Sequence, residues 1–125
     1  MDGFKIVNDE CGHDVGDEVL IKLATVINQH IRGKDKLFRW GGEEFLLVCQ
    51  GLKKDDVEVF TTKLLEVAAS FYYDCGGQPR RITVSMGVSY CGPGDTDEKD
   101  VIKRADQGLY EAKKAGKNRS CYIRP

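Results

Sequence analysis

The stretch Leu37–Cys49 reads LFRWGGEEFLLVC, in which two short apolar runs flank a Gly-Gly-Glu-Glu tetrad. Short apolar runs that are separated by a few residues with glycine are typical of a β-hairpin. We therefore predict two antiparallel strands with a tight turn at residues 41–44. Such a turn presents two neighbouring carboxylates, Glu43 and Glu44, at the tip of the hairpin.

Adjacent carboxylates repel each other, so Glu43 and Glu44 favour a nearby cation. Hard divalent ions such as Mg²⁺ prefer oxygen ligands and meet that need. Gly41 and Gly42 lack side chains, so a flat or phosphorylated substrate can approach their backbone closely. An ordinary solvated turn explains the same four residues, and their spacing alone favours that interpretation over a metal site.

Outward from the hairpin, the apolar pattern predicts three helices and two further strands. Helical spacing of apolar residues covers about 14–32, ended by Gly33, and recurs over 57–71 and 101–112. Alternation with a period of two predicts a strand over 82–89, and 120–124 is a last strand. This order predicts an α+β sandwich, with helices that flank a mainly antiparallel central sheet.

Composition and charge exclude several classes of protein. The chain has 125 residues, of which 41% are hydrophobic, so it is long enough for one globular domain. A net charge of −1 argues against a nucleic-acid partner. No apolar run is long enough to span a membrane and no secretory leader opens the chain, so we expect no membrane contact from this domain.

The five cysteines are odd in number, widely spaced and without a CxxC pair. This pattern indicates neither a zinc site nor a disulfide framework, so we predict reduced thiols in the cytoplasm. Cys49 lies in an apolar run, which is typical of core packing.

Two polar pairs could bind a nucleotide. A carboxylate such as Asp17, together with Asn8, could read guanine, because guanine offers adjacent N1–H and N2–H donors that adenine lacks. Helix capping explains Asp17 equally simply and is preferred for that residue alone. Lys113 and Lys117 lie four apart, so in a helix they would share a face and could neutralise a triphosphate. A solvated basic helix end explains both lysines as well.

The joint order of the motifs is more specific than any one of them. The motifs run in this order: Asp2-x-Phe4-Lys5-x-x-Asn8-Asp9, Gly12-His13-x-x-Gly16-Asp17, Arg32-x-x-Asp35, Arg39-Trp40-Gly41-Gly42-Glu43-Glu44-Phe45, Val84-Ser85-x-Gly87-Val88 and Ala105-Asp106-x-x-Leu109-Tyr110-x-Ala112-Lys113-x-x-Gly116-Lys117-Asn118-Arg119. Over residues 1–125 this order closely resembles the GGDEF domain of bacterial diguanylate cyclases. The resemblance implies a nucleotidyl-cyclase-like, ferredoxin-like sandwich.

The resemblance also implies an activity. In the family, two GTP molecules are joined into cyclic di-GMP with release of pyrophosphate, across a homodimer in which each domain holds one GTP. Arg32 and Asp35 match the RxxD site at which cyclic di-GMP inhibits the enzyme, although a helix C-cap with surface charges is the simpler interpretation of those two residues alone. Sensory domains normally precede the domain, either in the cytosol or in a membrane-anchored protein.

The resemblance implies a role for the acids and for the guanine-reading pair. Glu43 matches the family's metal-binding acid, and Glu44 matches a neighbour that binds metal or activates the attacking hydroxyl. The metal would be Mg²⁺ or Mn²⁺. Asn8 and Asp17 match the residues that read guanine.

The resemblance also implies a cradle for the phosphates. Lys5, Lys113 and Lys117 match positions near the phosphates, and Lys5 counts among the catalytic residues. Backbone amides around Phe4 and Lys5 would hold the terminal phosphate.

The start of the chain departs from the family pattern. The motif usually begins Asp-x-Asp-x-Phe-Lys, and Asp2 aligns with the second acid, so Met1 takes the apolar place between the two. The first acid, normally a metal ligand, and the first strand of the family's sheet would precede Met1. We therefore expect an N-terminally truncated domain whose metal site comprises Glu43, Glu44 and the Met1 end.

Two other functions fit the same residues. A catalytically inactive domain could serve as a receptor for cyclic di-GMP or GTP, using Arg32 and Asp35. A structural dimerisation domain with a vestigial nucleotide site is the third possibility.

Overall fold

The computed structural model describes all residues, Met1–Pro125, which form two compact units. The first unit comprises Met1 and residues 3–83, and the second comprises Asp2 and residues 84–125. Helices and strands are mixed along the chain, which confirms the predicted α+β class. None of the helices has both the length and the apolar character that crossing a bilayer requires.

The first unit contains three helices and two β-hairpins. Its helices are α1 (Phe4–Cys11), α2 (His13–Asn28) and α3 (Val57–Ala68), and its strands are β1 (Lys36–Gly41), β2 (Glu44–Val48), β3 (Tyr73–Cys75) and β4 (Gln78–Arg80). The pairs β1–β2 and β3–β4 are both antiparallel. A 3₁₀ turn, Lys54–Asp56, leads into α3.

The core of the first unit lies where α2 packs against its neighbours. The helical pattern predicted for α2 is confirmed, since Val19, Leu20 and Leu23 are buried on one face. The helix ends at Asn28 and does not reach the predicted Gly33. The His30 amide there donates to the Ile27 carbonyl, a bond that tightens the last turn and ends the helix.

The second unit is a helix on a pair of parallel strands. It contains β5 (Met86–Val88), α4 (Glu98–Lys114) and β6 (Ser120–Tyr122), and β5 pairs with β6. α4 begins at Asp97, whose carboxylate accepts a hydrogen bond from the Lys99 amide at 3.0 Å. This is the usual N-cap interaction, which satisfies one of the free amides of the first turn.

A partly buried ion pair closes the loop that precedes α4. Arg104 binds both carboxylate oxygens of Asp95, at 2.8 and 2.6 Å, and also donates to the Tyr90 carbonyl. The Arg104 guanidinium, assisted by the Gly92 amide, lowers the pKa of Asp95 to about 2. The loop is therefore held by a charge that stays ionised across the neutral range.

Local structure differs from the predicted pattern at three places. α1 was not predicted, because only Val7 of its eight residues is buried and the apolar stripe is too thin to see. β3 and β4 flank Gly76 and Gly77, a segment predicted as loop. The alternation predicted over 82–89 forms a strand only over Met86–Val88.

Strand pairing also differs from the expected continuous sheet. The strands form three separate two-stranded sheets, two antiparallel and one parallel. Apolar periodicity identifies which residues can form a strand, and it carries no information about the partner of each strand.

The contact between α4 and β5 predicts a strict requirement for glycine. A Cβ on Gly87 would overlap the carbonyl oxygen of Ala105 and the amide of Leu109. We expect Gly87→Ala to lower the free energy of unfolding by about 1–3 kcal/mol, because this backbone contact cannot move aside. Gly94→Ala is the matched control, since nothing lies within 4 Å of its Cβ position. Chemical denaturation of both variants measures the effect, and equal stabilities would contradict the packing account.

Candidate functional site

The β1–β2 hairpin holds its turn in a defined register. Arg39 lies opposite Phe45, and Gly41 lies opposite Glu44. Between them, Gly42 has a positive φ of 49°, a conformation that favours glycine, whereas Glu43 does not. The Arg39 Nε donates to the Gly42 carbonyl at 3.0 Å and braces the turn.

The two acids of the turn are both half-buried. The chain has no group of three or more His, Cys, Asp or Glu side chains that could hold a metal ion by themselves. Mg²⁺ is commonly held by one or two carboxylates together with substrate phosphates, and the turn offers two carboxylates. The Met1 amino group donates to the Glu43 carbonyl at 3.1 Å, which places Met1 beside the turn.

An apolar groove separates α2 from this hairpin. Its volume is about 240 Å³, and it is lined by Leu20, Ile21, Ala24, Asn28, Leu37, Arg39 and Phe45. Arg39 and Phe45 are the cross-strand pair next to the turn. The groove therefore reaches the residue pair beside the turn.

The helix pair α1–α2 carries the second part of the site. The Oδ1 atom of Asn8 is buried and has no hydrogen-bond partner. It lies against Gly16 so closely that a Cβ on Gly16 would overlap it. Asp17 is exposed and follows Gly16 on α2. It is therefore next in the chain to the glycine that Asn8 contacts. An unpaired buried acceptor is costly, and a ligand donor would remove that cost.

The N-terminus of α1 is open. Its N-cap is Gly3, with a φ of 69°, and no side chain caps the first turn. Free amides at a helix N-terminus, together with the helix dipole, attract phosphate groups. Phe4 and Lys5 are the first two residues of this turn, and the Lys5 side chain is exposed.

In the second unit, the predicted geometry of the two lysines is wrong. α4 ends at Lys114, so Lys113 lies in its last turn and Lys117 lies beyond it. Lys117 has a positive φ of 64°, and its amide closes the helix by donating to the Ala112 carbonyl at 2.9 Å. The two side chains are exposed but do not share a helical face.

Arg32 and Asp35 form a bidentate ion pair. Nε and Nη2 of Arg32 donate to the two carboxylate oxygens at 3.2 and 2.9 Å, and Nη2 also donates to the Gln50 carbonyl. The side chain of Asp35 has no exposed surface, whereas that of Arg32 is 43% exposed. Hydrogen bonds from Arg32 lower the pKa of Asp35, and this pairing raises the pKa of Arg32.

Cys49 lies beneath this pair. Burial first, and then the neighbouring Asp35 carboxylate, raise the pKa of its thiol to about 11. The thiol is therefore protonated at neutral pH, which agrees with the packing role predicted for Cys49.

The prediction that the chain has only reduced thiols is wrong for one pair. Cys11 and Cys75 form a disulfide with their Cα atoms 5.1 Å apart, while Cys49, Cys91 and Cys121 are free. The two partners are 64 residues apart, and sequence spacing does not reveal which distant cysteines the fold brings together.

Comparison with known proteins settles the family. The family model for the diguanylate cyclase GGDEF domain matches residues 1–119. The chain belongs to the GGDEF family. Among relatives of the GGDEF domain, the response regulator PleD of Caulobacter vibrioides is 39% identical over 121 residues, which is 94% of this chain. The chain spans only 26% of that relative's length.

Two solved structures resemble this GGDEF domain closely. The active GGEEF domain of a diguanylate cyclase from Vibrio cholerae has a TM-score of 0.89 and 35% identity, covering 99% of this chain and 78% of that one. The GGDEF domain of DgcB from Caulobacter crescentus, in complex with c-di-GMP, has a TM-score of 0.89 and 31% identity, covering 97% of this chain and 72% of that one. Both likenesses confirm the nucleotidyl-cyclase-like fold expected from the motifs.

Sequence reasoning about this GGDEF domain gave no role to two residues that shape the site. Arg39 braces the turn through the Gly42 carbonyl, and Gly16 makes room for Asn8. A signal for Gly16 was present, because a lone glycine inside a helical pattern often marks a close approach. Nothing in the sequence shows that the Arg39 side chain folds back on its own turn.

The Arg32–Asp35 pair predicts a pH-dependent effect on stability. In the wild type, the pKa of Asp35 lies below its ordinary value of 3.8, so the pair stabilises the fold above pH 3.8 and less as the carboxylate is protonated. Arg32→Ala removes the side-chain hydrogen bonds and the charge that lower this pKa, while the burial that opposes them remains, so the variant is destabilised most at neutral pH. Unfolding by urea from pH 3 to pH 7 measures the difference between the two proteins.

The difference in the free energy of unfolding between the wild type and Arg32→Ala should shrink as the pH falls below about 3.8. Lys34→Ala, a change at an exposed neighbouring charge, is the control and should follow the wild type at every pH. A destabilisation by Arg32→Ala that is the same at all pH values would show that the pair does not act through the charge of Asp35.

Proposed function

We propose that this GGDEF domain is a diguanylate cyclase. The proposal rests chiefly on the braced Gly-Gly-Glu-Glu turn, which carries two half-buried carboxylates in a family with relatives named diguanylate cyclases. In the reaction, the 3′-oxygen of each GTP bonds to the α-phosphorus of the other. Each bond between the α-phosphorus and the bridging oxygen breaks, and two pyrophosphates leave with one cyclic di-GMP.

The substrate base is read by Asn8 and Asp17. Oδ1 of Asn8 is an acceptor without a partner, so the 2-amino group of guanine can satisfy it. The Asp17 carboxylate accepts from the remaining donor on the same edge. An adenine would leave a buried acceptor unpaired, which costs about 1–3 kcal/mol.

Glu43 and Glu44 at the turn would hold the metal, Mg²⁺ or Mn²⁺. When bound, it would neutralise charge on the phosphates, which is most of what phosphoryl transfer requires. The residues of this chain position the reaction. The hairpin places Glu43 in its turn and Glu44 at the start of β2, and Gly41 and Gly42 leave the backbone open to the nucleotide. Glu44 would accept the proton of the attacking hydroxyl.

The phosphates meet amides and cations. The uncapped first turn of α1, at Phe4 and Lys5, offers its amides to the terminal phosphate. The exposed ammonium of Lys5 adds a positive charge there. For Lys113 and Lys117 the proposal rests on the family motif and on their exposure. Lysine binds phosphate as a point charge, without the fork of arginine.

Catalysis requires a second copy of the chain. One domain holds one GTP, and the product contains two guanylates that are joined in both directions. Two GTP-loaded domains must therefore face each other, so that each hydroxyl lies in line with the partner's α-phosphate. We propose a homodimer that forms during turnover.

The product restrains the enzyme at Arg32 and Asp35. The buried carboxylate holds the guanidinium in place through Nε and Nη2, and the side chain is still 43% exposed. An arginine fixed in this way can bind a guanine or phosphate group of cyclic di-GMP at little entropic cost. The solved complex of DgcB with c-di-GMP supports binding of this ligand by the fold.

The activity test compares the chain with Glu43→Gln. Incubated with GTP and Mg²⁺, the wild-type chain should release cyclic di-GMP and pyrophosphate, and the variant should be slower by about 10²-fold or more, because it loses a metal ligand. Glu58→Gln, at an exposed acid in the first turn of α3, is the control and should keep the wild-type rate. Chromatography of the nucleotides measures the products.

The same assay separates the alternatives. A wild-type chain that binds GTP or cyclic di-GMP but forms no product, after bound product has been stripped, is a receptor and not a cyclase. A chain that binds neither nucleotide is a structural domain, and the proposal then fails completely.

A further prediction concerns product inhibition. We expect added cyclic di-GMP to lower the rate of the wild-type chain. At the same concentration, the reduction in the rate of Arg32→Ala should be at least about tenfold smaller, because a charged contact is lost. The ratio of rates with and without cyclic di-GMP is measured for each protein. Lys34→Ala should show the wild-type ratio, and an unchanged ratio in Arg32→Ala would refute the inhibitory site.

A further inference from the structure

The Cys11–Cys75 disulfide ties the helix that carries Asn8 to a distant hairpin. Cys11 is the last residue of α1, and Cys75 is the last residue of β3. Asn8 lies three residues before Cys11, so the two side chains emerge near one another on the same helix. Whatever fixes the position of Cys11 therefore also fixes the position of Asn8.

Few other interactions hold α1. Only Val7 of the helix is buried, and its packing is chiefly against α2. Beyond that packing, Glu10 forms an ion pair with Arg80 of β4 at 3.2 Å, between side chains that are 52% and 34% exposed. Exposed ion pairs contribute little to stability. The chain itself joins α1 to α2 through Gly12, whose amide donates to the Asn8 carbonyl at 3.0 Å. The disulfide is the covalent link between α1 and the β3–β4 hairpin.

The position of α1 matters because its contact with α2 is tight at one point. The Asn8 Oδ1 lies directly against Gly16, with no room for a Cβ between the helices. A small rotation or shift of α1 would turn this acceptor away from the edge of a bound base. Hydrogen-bond strength falls steeply with misalignment, so the loss would be selective for the donor that Oδ1 accepts.

We propose that the Cys11–Cys75 disulfide positions Asn8 for guanine recognition, so that nucleotide selectivity depends on whether the bond is oxidised or reduced. Cys11 and Cys75 are thus positioning residues that act through Asn8. This inference rests on the proposed function, since it takes the guanine-reading role of Asn8 as given.

The change of state is an ordinary thiol–disulfide exchange with a dithiol. One thiolate of the dithiol attacks the sulfur of Cys11, which is the less buried partner, and Cys75 leaves as a thiolate that takes up a proton. The second thiol of the reductant then closes its own disulfide and releases Cys11 as a thiol. The protein gains two electrons and two protons, and the dithiol loses the same number.

The test measures the binding of GDP and of inosine 5′-diphosphate by calorimetry, before and after dithiothreitol. Neither nucleotide can release pyrophosphate, so no turnover disturbs the measurement. Inosine lacks the 2-amino group of guanine but has the same N1–H and carbonyl. Thiol titration verifies the state of the chain, which has three free cysteines when oxidised and five when reduced.

We expect reduction to weaken GDP binding about threefold to tenfold. This corresponds to a reduced chain in which α1 occupies the guanine-binding position for about a third to a tenth of the time. Inosine diphosphate should change less, so the ratio of the two affinities falls on reduction. Cys11→Ser should show the lower ratio with or without dithiothreitol. Cys91→Ser, at an exposed free cysteine, should keep the full response to reduction.

Three outcomes decide the matter. An affinity ratio that is unchanged by reduction, in a chain that binds GDP, overturns the inference and leaves the proposed function intact. Equal weakening of both nucleotides also overturns it, because a merely structural bond would act without regard to the 2-amino group. A chain that binds GDP in neither state contradicts the proposed function itself, and with it this inference.

Discussion

The braced turn of the β1–β2 hairpin, which carries Glu43 and Glu44 on adjacent residues, is the constraint on which the proposed site depends. The strand register places both acids at one turn, and the bond from Arg39 to the Gly42 carbonyl keeps the turn from relaxing. Half-buried carboxylates in this arrangement favour a bound cation over bulk water. In the proposed function, a metal ion bound together with the substrate phosphates would balance this charge.

At the α1–α2 contact, a polar group that could bind a ligand lowers the stability of the free protein. Asn8 keeps a buried oxygen without a partner, although an apolar side chain there would avoid the cost of desolvation. The glycine at position 16 brings that oxygen close to α2. Unpaired groups of this kind lower stability in the free protein and give selectivity when the matching ligand binds.

The sequence predicts the parts of the fold whose apolar pattern is strong. The β1–β2 hairpin, the buried face of α2, helix α4 and the strand at Ser120 all follow from local periodicity and are confirmed. α1 has only one buried residue, so its pattern does not differ from that of a polar loop. Strand partners and the long-range disulfide depend on tertiary structure, which local periodicity does not encode.

The candidate site divides along the same line. Residue types and their order predict the paired acids, the proposed guanine-reading pair and the Arg32–Asp35 pair, whereas the structure shows how far each side chain is buried. Asp35 could have been a surface charge at a helix end, and only the fold shows that it is enclosed and ionised by Arg32. For Lys117 the structure removes an expected arrangement. Its spacing suggested a helical face shared with Lys113, but α4 ends at Lys114 and Lys117 has a left-handed backbone beyond the helix.

The most direct test of the account is a crystal structure of the chain with Mn²⁺ and a GTP analogue that cannot react. We expect an anomalous peak for Mn²⁺ against the Glu43 carboxylate, with the guanine edge in hydrogen-bond contact with Asn8 and Asp17. A nucleotide bound elsewhere on the chain, with the ion away from the hairpin turn, would contradict it.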